Sequence, residues 1–395
     1  MSTIELLTRA RRGKELGIKG AETLSLDWPA VIARKDRIVD SWSKGKEATP
    51  GKLGIPVLRG HGQFTDPHDI VVDGRNYSAG KIVIATGSKP ARPPIPGVEL
   101  GITSDELIHL KEQPKRLVVV GGGFIGLEFG FALAWAGTNV TVLQSGAQIG
   151  PALDDEIREI LLAAAKQAGM TIKTNVKVKG IAHDKTVEAE IGGGAEKFAA
   201  DEVLLATGRP SNVEPLNPGT AGIELDRGAV RVNEYLQSVS APHVYAVGDA
   251  AGKHQHSPVA WYEGPIAAHN ALRGNEQKID FSVFPSAIFT IPAIGQVGLT
   301  EKEALGRGLK AKVSKLSYDS NPAAGVRNET EGLVKVVYEE GTERILGAHV
   351  IGAHAEDIVQ IAAVAIKGGL KKSEVGAMHY VFPTIGGAIF DTMAS

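Results

Sequence analysis

Residues 116–130 read RLVVVGGGFIGLEFG, and the order of their parts decides how the chain is read. A Val-rich apolar run, Leu117 to Val120, has the continuous hydrophobicity of a strand buried on both faces. Gly121, Gly122, Gly123 and Gly126 follow at once, then an apolar helical stretch through Trp135 and a second apolar strand from Val140 to Leu143. This is a βαβ unit. Glycines placed between strand and helix permit a tight turn and close approach of a pyrophosphate, and the helix N-terminus presents free N–H groups and a partial positive charge to it. In this setting the motif implies dinucleotide binding. The second strand ends at Gln144, where an Asp or Glu would meet the adenosine ribose and an Arg would favour a 2′-phosphate. Gln144 can still hydrogen-bond a ribose, and no Arg lies between Ser145 and Ile149, which leans the choice towards NAD over NADP.

Outward from this unit, the first 45 residues read as surface helices, with Leu6, Leu7 and Ala10 and later Val31, Ile32, Ile38 and Val39 at helical spacing. VLRGHGQF and IVVDGRNYSAG read as short strands, the second turning at Asp73-Gly74. A buried strand, Ile82 to Ala85, ends in Thr86-Gly87, and the proline-rich residues 89–97 serve as a linker. Beyond the βαβ unit, Asp154, Asp155 and Glu156 open a helix with Ile157, Ile160, Leu161 and Ala164 on one face. Strands are expected at residues 171–178 and 186–191, and a buried one from Val203 to Ala206 ends in Thr207-Gly208. KIVIATG and DEVLLATG are one device used twice, which implies two related nucleotide-binding domains. Val244 to Val247 leads into Gly248-Asp249, where a carboxylate at a strand end can accept hydrogen bonds from a polyol. From Phe281 a mixed sheet and helix pattern marks a third domain.

Bulk properties narrow the partners. With 43% hydrophobic and 22% charged residues the chain is ordinary globular material, and a net charge of -2 gives no field to recruit nucleic acid or an anionic membrane. No run reaches the roughly 18 apolar residues that span a bilayer, and the start lacks the apolar core of a secretory signal, so the chain reads as cytoplasmic. There is no cysteine, so these residues contain no disulfide, thiolate nucleophile or Cys-held metal. His254, Gln255 and His256 sit in a loop without a second cluster at ligand spacing, and no metal site is expected.

Taken in order, IVIATGSKP, GGGFIGLEFG, VLLATGRP, VYAVGDAAG, SPVAWYEGPIAAHNAL, FTIPAIGQVGLTEKEA and RILGAHVIGAHAEDIVQ resemble the pyridine nucleotide disulfide oxidoreductases: dihydrolipoamide dehydrogenase, glutathione reductase and mercuric reductase. The resemblance implies an α/β fold with two Rossmann-like three-layer domains and an α+β dimerisation domain. The FAD domain is split and N-terminally incomplete, as residues 1–113 and 241–279; the NAD(P) domain is inserted as residues 114–240, and dimerisation belongs to residues 280–395. Thr86, Gly87, Asp249 and Ala250 then fall at FAD contacts. Gly121, Gly123, Gly126, Glu128 and Gly208 fall around the nicotinamide nucleotide, with Glu128 near the nicotinamide and flavin.

Three departures limit the inheritance. The family's own FAD strand, glycine turn and Cys-x4-Cys helix would precede residue 1, which points to Met1 as an internal start of a longer product. No dithiol can relay electrons within these residues. The family's C-terminal His and Glu are replaced by Phe382 and Gly387, leaving His379 and Tyr380 nearby without an assigned role. The implied activity is hydride transfer from NAD(P)H to FAD and on to a small-molecule acceptor, in a homodimeric flavoprotein. If cysteines precede Met1, a disulfide or Hg(II) is the acceptor class; if not, a transhydrogenase or diaphorase reaction at the flavin is. The competing reading is a non-catalytic nucleotide-binding remnant.

Overall fold

A computed structural model describes all residues, Met1–Ser395. The chain divides into two compact units, one formed by Met1–Ile32, Arg92–Thr207 and Phe281–Ser395, the other by Ala33–Ala91 and Gly208–Asp280.

In the first unit the βαβ segment folds as its pattern predicts. Arg116–Val120 is the second strand of a four-stranded parallel sheet, between Glu202–Leu205 and Asn139–Leu143, with Thr171–Lys173 outermost. The helix Phe124–Ala136 crosses between the two central strands and buries Leu127, Phe131, Leu133 and Ala134; Gly137, at φ 104°, ends it. The next helix runs Asp155–Gln167, with Asp154 as its N-cap, and buries Ile157, Leu161 and Ala164, while Ile160 is only partly covered.

The expected strand 171–178 is broken in two. Thr171–Lys173 joins the parallel sheet, Asn175 turns the chain at φ 54°, and Val176–Ile181 enters an antiparallel sheet with Val187–Ile191 and Gly194–Phe198. The last of these, GAEKF, lacks the apolar alternation that would have marked it.

The N-terminal helix Ser2–Arg12 belongs to this unit but turns a different face inward from the one expected. Ile4, Leu7 and Thr8, spaced i, i+3 and i+4, are buried; Leu6 is 66% exposed. A five-stranded antiparallel sheet, in the order 286–288, 294–298, 345–351, 333–339, 311–317, carries the C-terminal part, covered by the helix Ala355–Lys367. Its central strand, Ile345–Ile351, is buried throughout. Lys335 on the neighbouring strand is 4% exposed and meets three carboxylates: Glu156 at 2.7 Å, Asp154 at 3.0 Å and Glu301 at 3.0 Å. Burial would strip its proton, but the three carboxylates outweigh it and hold the ammonium charged. This cluster joins the N-terminus of the helix Asp155–Gln167 to the C-terminal sheet.

The second unit holds a three-stranded antiparallel sheet, Gly62–Asp66, Asp69–Val72 and Arg75–Ser78. Asp73 and Gly74 both take positive φ, 47° and 76°, in the two-residue loop closed by Val72 and Arg75. That is the geometry a right-twisted hairpin requires. The stretch expected as a strand from Val57 begins only at Gly62, and Val57 and Leu58 are exposed. Ile82–Ile84 pairs in parallel with Val244–Ala246 and has no partner on its other edge. Its burial alternates, leaving Val83 42% exposed between buried Ile82 and Ile84. Residues 208–240 pack in this unit, with Val213, Ile223 and Val230 in its core.

Candidate functional site

Gly121 and Gly126 in the loop after Val120 each answer a separate steric demand, and Gly123 answers none from the protein. Gly121 adopts φ 112°, and a Cβ there would lie 2.3 Å from the Ala206 carbonyl oxygen. At Gly126 a Cβ would lie 2.1 Å from the Gly121 carbonyl oxygen, so its absence sets how closely helix and strand pack. A Cβ at Gly123 would meet no protein atom within 4 Å. The space beside Gly123 is therefore open to an outside group.

The loop's hydrogen bonds show where that group would be held. Gly121 donates to the Leu143 carbonyl at 2.9 Å, and Gly122 donates to Gln144 Oε1 at 2.9 Å. The N–H groups of Gly123, Phe124, Ile125 and Gly126 find no acceptor in the protein. No side chain caps this helix and its first turn carries no acid. Four aligned donors at a helix N-terminus form a ready site for an anion such as pyrophosphate. A dinucleotide fits this loop.

Gln144, expected to face a ribose, spends its carbonyl on Gly122 and donates through Nε2 to the Gln148 carbonyl at 3.2 Å. It thus braces the glycine loop against the second strand. Glu128, one turn into the helix, accepts a hydrogen bond from the Phe289 N–H at 2.8 Å. Burial raises its carboxyl above the ordinary value, while that hydrogen bond and the Met1 amine pull the other way.

In the second unit, Thr86, Gly87, Asp249 and Ala250 come together at the carboxyl ends of the paired strands. Val247 extends the ladder by donating to the Ile84 carbonyl at 3.0 Å, and Gly87 and Gly248 take φ 67° and 60° to turn away from it. Ser88 donates to Asp249 Oδ2 at 2.6 Å, and Arg209 Nε donates to Ser88 Oγ at 3.0 Å. Asp249 keeps a second carboxylate oxygen for a polyol, so the ribityl end of a flavin suits this strand end. Gly208, also in this unit, has φ 121°.

Glu263 was not foreseen. It is 1% exposed, and its Oε2 accepts the Gly248 N–H at 2.6 Å, fixing the turn that carries Asp249. Its Oε1 is buried without a partner, and burial raises its carboxyl above the ordinary value. The only sequence signal was an acid within the otherwise apolar opening of a helix, SPVAWYEG. Near the C-terminus, Tyr380 donates to Asp391 at 2.5 Å and stacks on Phe390, while Phe382 is 67% exposed. No three His, Asp or Glu side chains gather so as to hold a metal ion, and no helix is long and apolar enough to cross a membrane.

Comparison with known proteins adds the family. A family model described as pyridine nucleotide-disulphide oxidoreductase matches residues 7–271, and that family's dimerisation domain matches residues 284–392. Mercuric reductase of Staphylococcus aureus is 38% identical over 355 residues, which cover 88% of this chain and 65% of that protein. The mercuric reductase of Bacillus cereus is covered to 55% of its length, so the chain spans under two thirds of these relatives. Glutathione reductase of Burkholderia cepacia is 33% identical, with 91% of this chain and 80% of that protein covered. Among solved structures, the HOCl-induced flavoprotein disulfide reductase RclA of Escherichia coli superposes with a TM-score of 0.87 at 27% identity, covering 98% of this chain and 89% of that one.

Proposed function

The chain belongs to the pyridine nucleotide-disulphide oxidoreductase family, and from that premise we propose that it is the nicotinamide-binding and flavin-binding part of an oxidoreductase passing electrons from NAD(P)H through FAD to an acceptor. The observation that carries this reading is the row of four unpaired N–H groups beside the open space at Gly123. They bind the dinucleotide pyrophosphate, and Gln144 holds their loop in shape. Glu128, with its raised carboxyl, is the polar group that faces the nicotinamide. The absence of an Arg after Gln144 favours NAD over NADP.

At the second site Thr86, Gly87, Asp249 and Ala250 hold the flavin, and Glu263 keeps the Asp249 turn rigid. When bound, the flavin supplies a hydride acceptor that can release electrons singly or in pairs. These residues contain no cysteine, so the acceptor class is a disulfide or Hg(II) where cysteines precede Met1, and a small molecule reduced directly at the flavin, as in a transhydrogenase or diaphorase, where none do. In this reading the flavin belongs to the unit Ala33–Ala91 and Gly208–Asp280, so residues 208–240, assigned from sequence to the NAD(P) domain, pack with the flavin groups instead; the dinucleotide belongs to residues 114–207 of the other unit, and 280–395 form the surface of a homodimer.

A second reading, a nucleotide-binding protein without flavin, is favoured by one observation: the strand Ile82–Ile84 beside the flavin groups is paired on one edge only. The two separate on a simple test. The protein is incubated with FAD, freed of excess and examined for flavin absorption. A retained yellow colour upholds the oxidoreductase, whereas a colourless protein that still binds NADH upholds the second reading.

A further inference from the structure

We propose that the second unit carries an additional binding site, for a nucleotide-sized organic phosphate, in the recess between the segments 209–211, 226–232 and 251–255. The recess measures about 760 Å³, within the range of pockets that hold small ligands. Its charge is one-sided: Arg209, Arg227, Arg231 and Lys253 line it, against a single carboxylate, Asp226, beside His254, which burial and the neighbouring His256 and Lys253 hold towards its neutral form.

Three of those cations, Lys253, Arg227 and Arg231, are not consumed by the fold. Lys253 makes no hydrogen bond or ion pair. Arg231 reaches Glu224 only at 3.7 Å and Arg227 reaches Asp226 only at 3.7 Å, with both arginines well exposed. Contacts that long in open solvent contribute little, so an incoming phosphate loses almost nothing by displacing them. Arg209 differs from the rest. Its Nε and a terminal nitrogen donate to Ser88 Oγ and the Ser88 carbonyl at 3.0 and 3.2 Å, and Gln255 donates to its own carbonyl at 2.6 Å. It is a guanidinium held in place before any ligand arrives, which favours planar recognition of phosphate oxygens.

The floor has the opposite character. Ala229, Val230 and Ala251 are buried apolar residues beneath the charged rim. A ligand with a flat apolar body and a phosphorylated end matches that division, with its base on the floor and its phosphates among the arginines. The site is distinct from the Gly121–Gly126 loop, which is built from backbone donors in the other unit.

The test uses the full chain saturated with NAD⁺ and FAD, titrated with ADP and, separately, with adenosine in a calorimeter. ADP binds while adenosine binds at least about tenfold more weakly, and the double variant R231E/K253E loses about tenfold or more in ADP affinity at unchanged NAD⁺ affinity. Failure of ADP to bind the saturated protein, release of FAD by ADP, or equal ADP affinity in the double variant overturns the proposal. Should NAD⁺ itself not bind, the proposed function falls, and the double variant in the unliganded chain still reads this recess.

Discussion

Alanine at Gly123 and alanine at Gly126 add the same methyl group three residues apart, and the structure assigns them opposite consequences. At Gly123 the backbone, at φ -81° and ψ -174°, is open to any residue, and the new methyl meets no protein atom within 4 Å. Alanine is a poorer N-cap than glycine, a cost of about 0.5–1 kcal/mol, but restricting the unfolded chain returns about 0.4–1 kcal/mol. Stability should therefore change by less than about 0.5 kcal/mol. The methyl does occupy the space a pyrophosphate must enter, so NADH affinity should fall by about 1.4 kcal/mol or more, tenfold at least.

At Gly126 the methyl would lie 2.1 Å from the Gly121 carbonyl oxygen and 3.0 Å from Val119 Cγ1. Backbone cannot swing aside as a side-chain tip can, so helix and strand must separate at a cost of about 1–3 kcal/mol in folding. Urea unfolding reads the stabilities, and energy transfer from tryptophan to the reduced nicotinamide reads binding. The reasoning is refuted if Gly123→Ala binds NADH like the parent, or if Gly126→Ala unfolds at the parent's urea concentration.

Further outcomes follow from the same geometry. Gln144→Ala removes the acceptor of the Gly122 N–H, and NADH affinity should drop by about 0.5–1.5 kcal/mol with little change in folding. Glu263→Ala strands the buried Gly248 N–H and should cost about 1–3 kcal/mol in urea unfolding. Because burial raises the Glu263 carboxyl above its ordinary 4.5, its contribution to stability is complete below that pH and is lost as pH rises through the folded value. Glu263→Gln should flatten that decline, incompletely since Glu128 shifts in the same direction; an unchanged slope contradicts the assignment. Lys335→Met leaves Asp154, 4% exposed, without its cation, and should cost about 3–5 kcal/mol. A loss below about 1 kcal/mol would show that the cluster is not a joint between helix and sheet.

What the sequence disclosed was local. The Leu117–Val120 strand, the glycine turn and the helix after it are specified by residues adjacent in the chain, and so are the Asp73-Gly74 hairpin and the cap at Asp154. What it concealed depends on partners far apart. Glu263 gains its role only when its helix lies under the Gly248 turn, and Lys335 only when residues 154, 156 and 301 converge on it. Gln144 reads from sequence as a polar strand end, yet its engagement with Gly122 needs the loop to fold back over the strand. In the N-terminal helix Leu6 and Leu7 are equally apolar, and only the i, i+3, i+4 set around Ile4 decides which one is buried.

The central claim is that one chain holds a nicotinamide dinucleotide on the Gly121–Gly126 loop and a flavin at Asp249. The direct measurement is the flavin absorption of the FAD-reconstituted 395-residue protein as NADH is added without oxygen. Bleaching of the flavin band in the parent, with Gly123→Ala requiring at least about tenfold more NADH for the same bleaching, is the result predicted. Bound flavin that stays oxidised in the presence of saturating NADH would contradict the account.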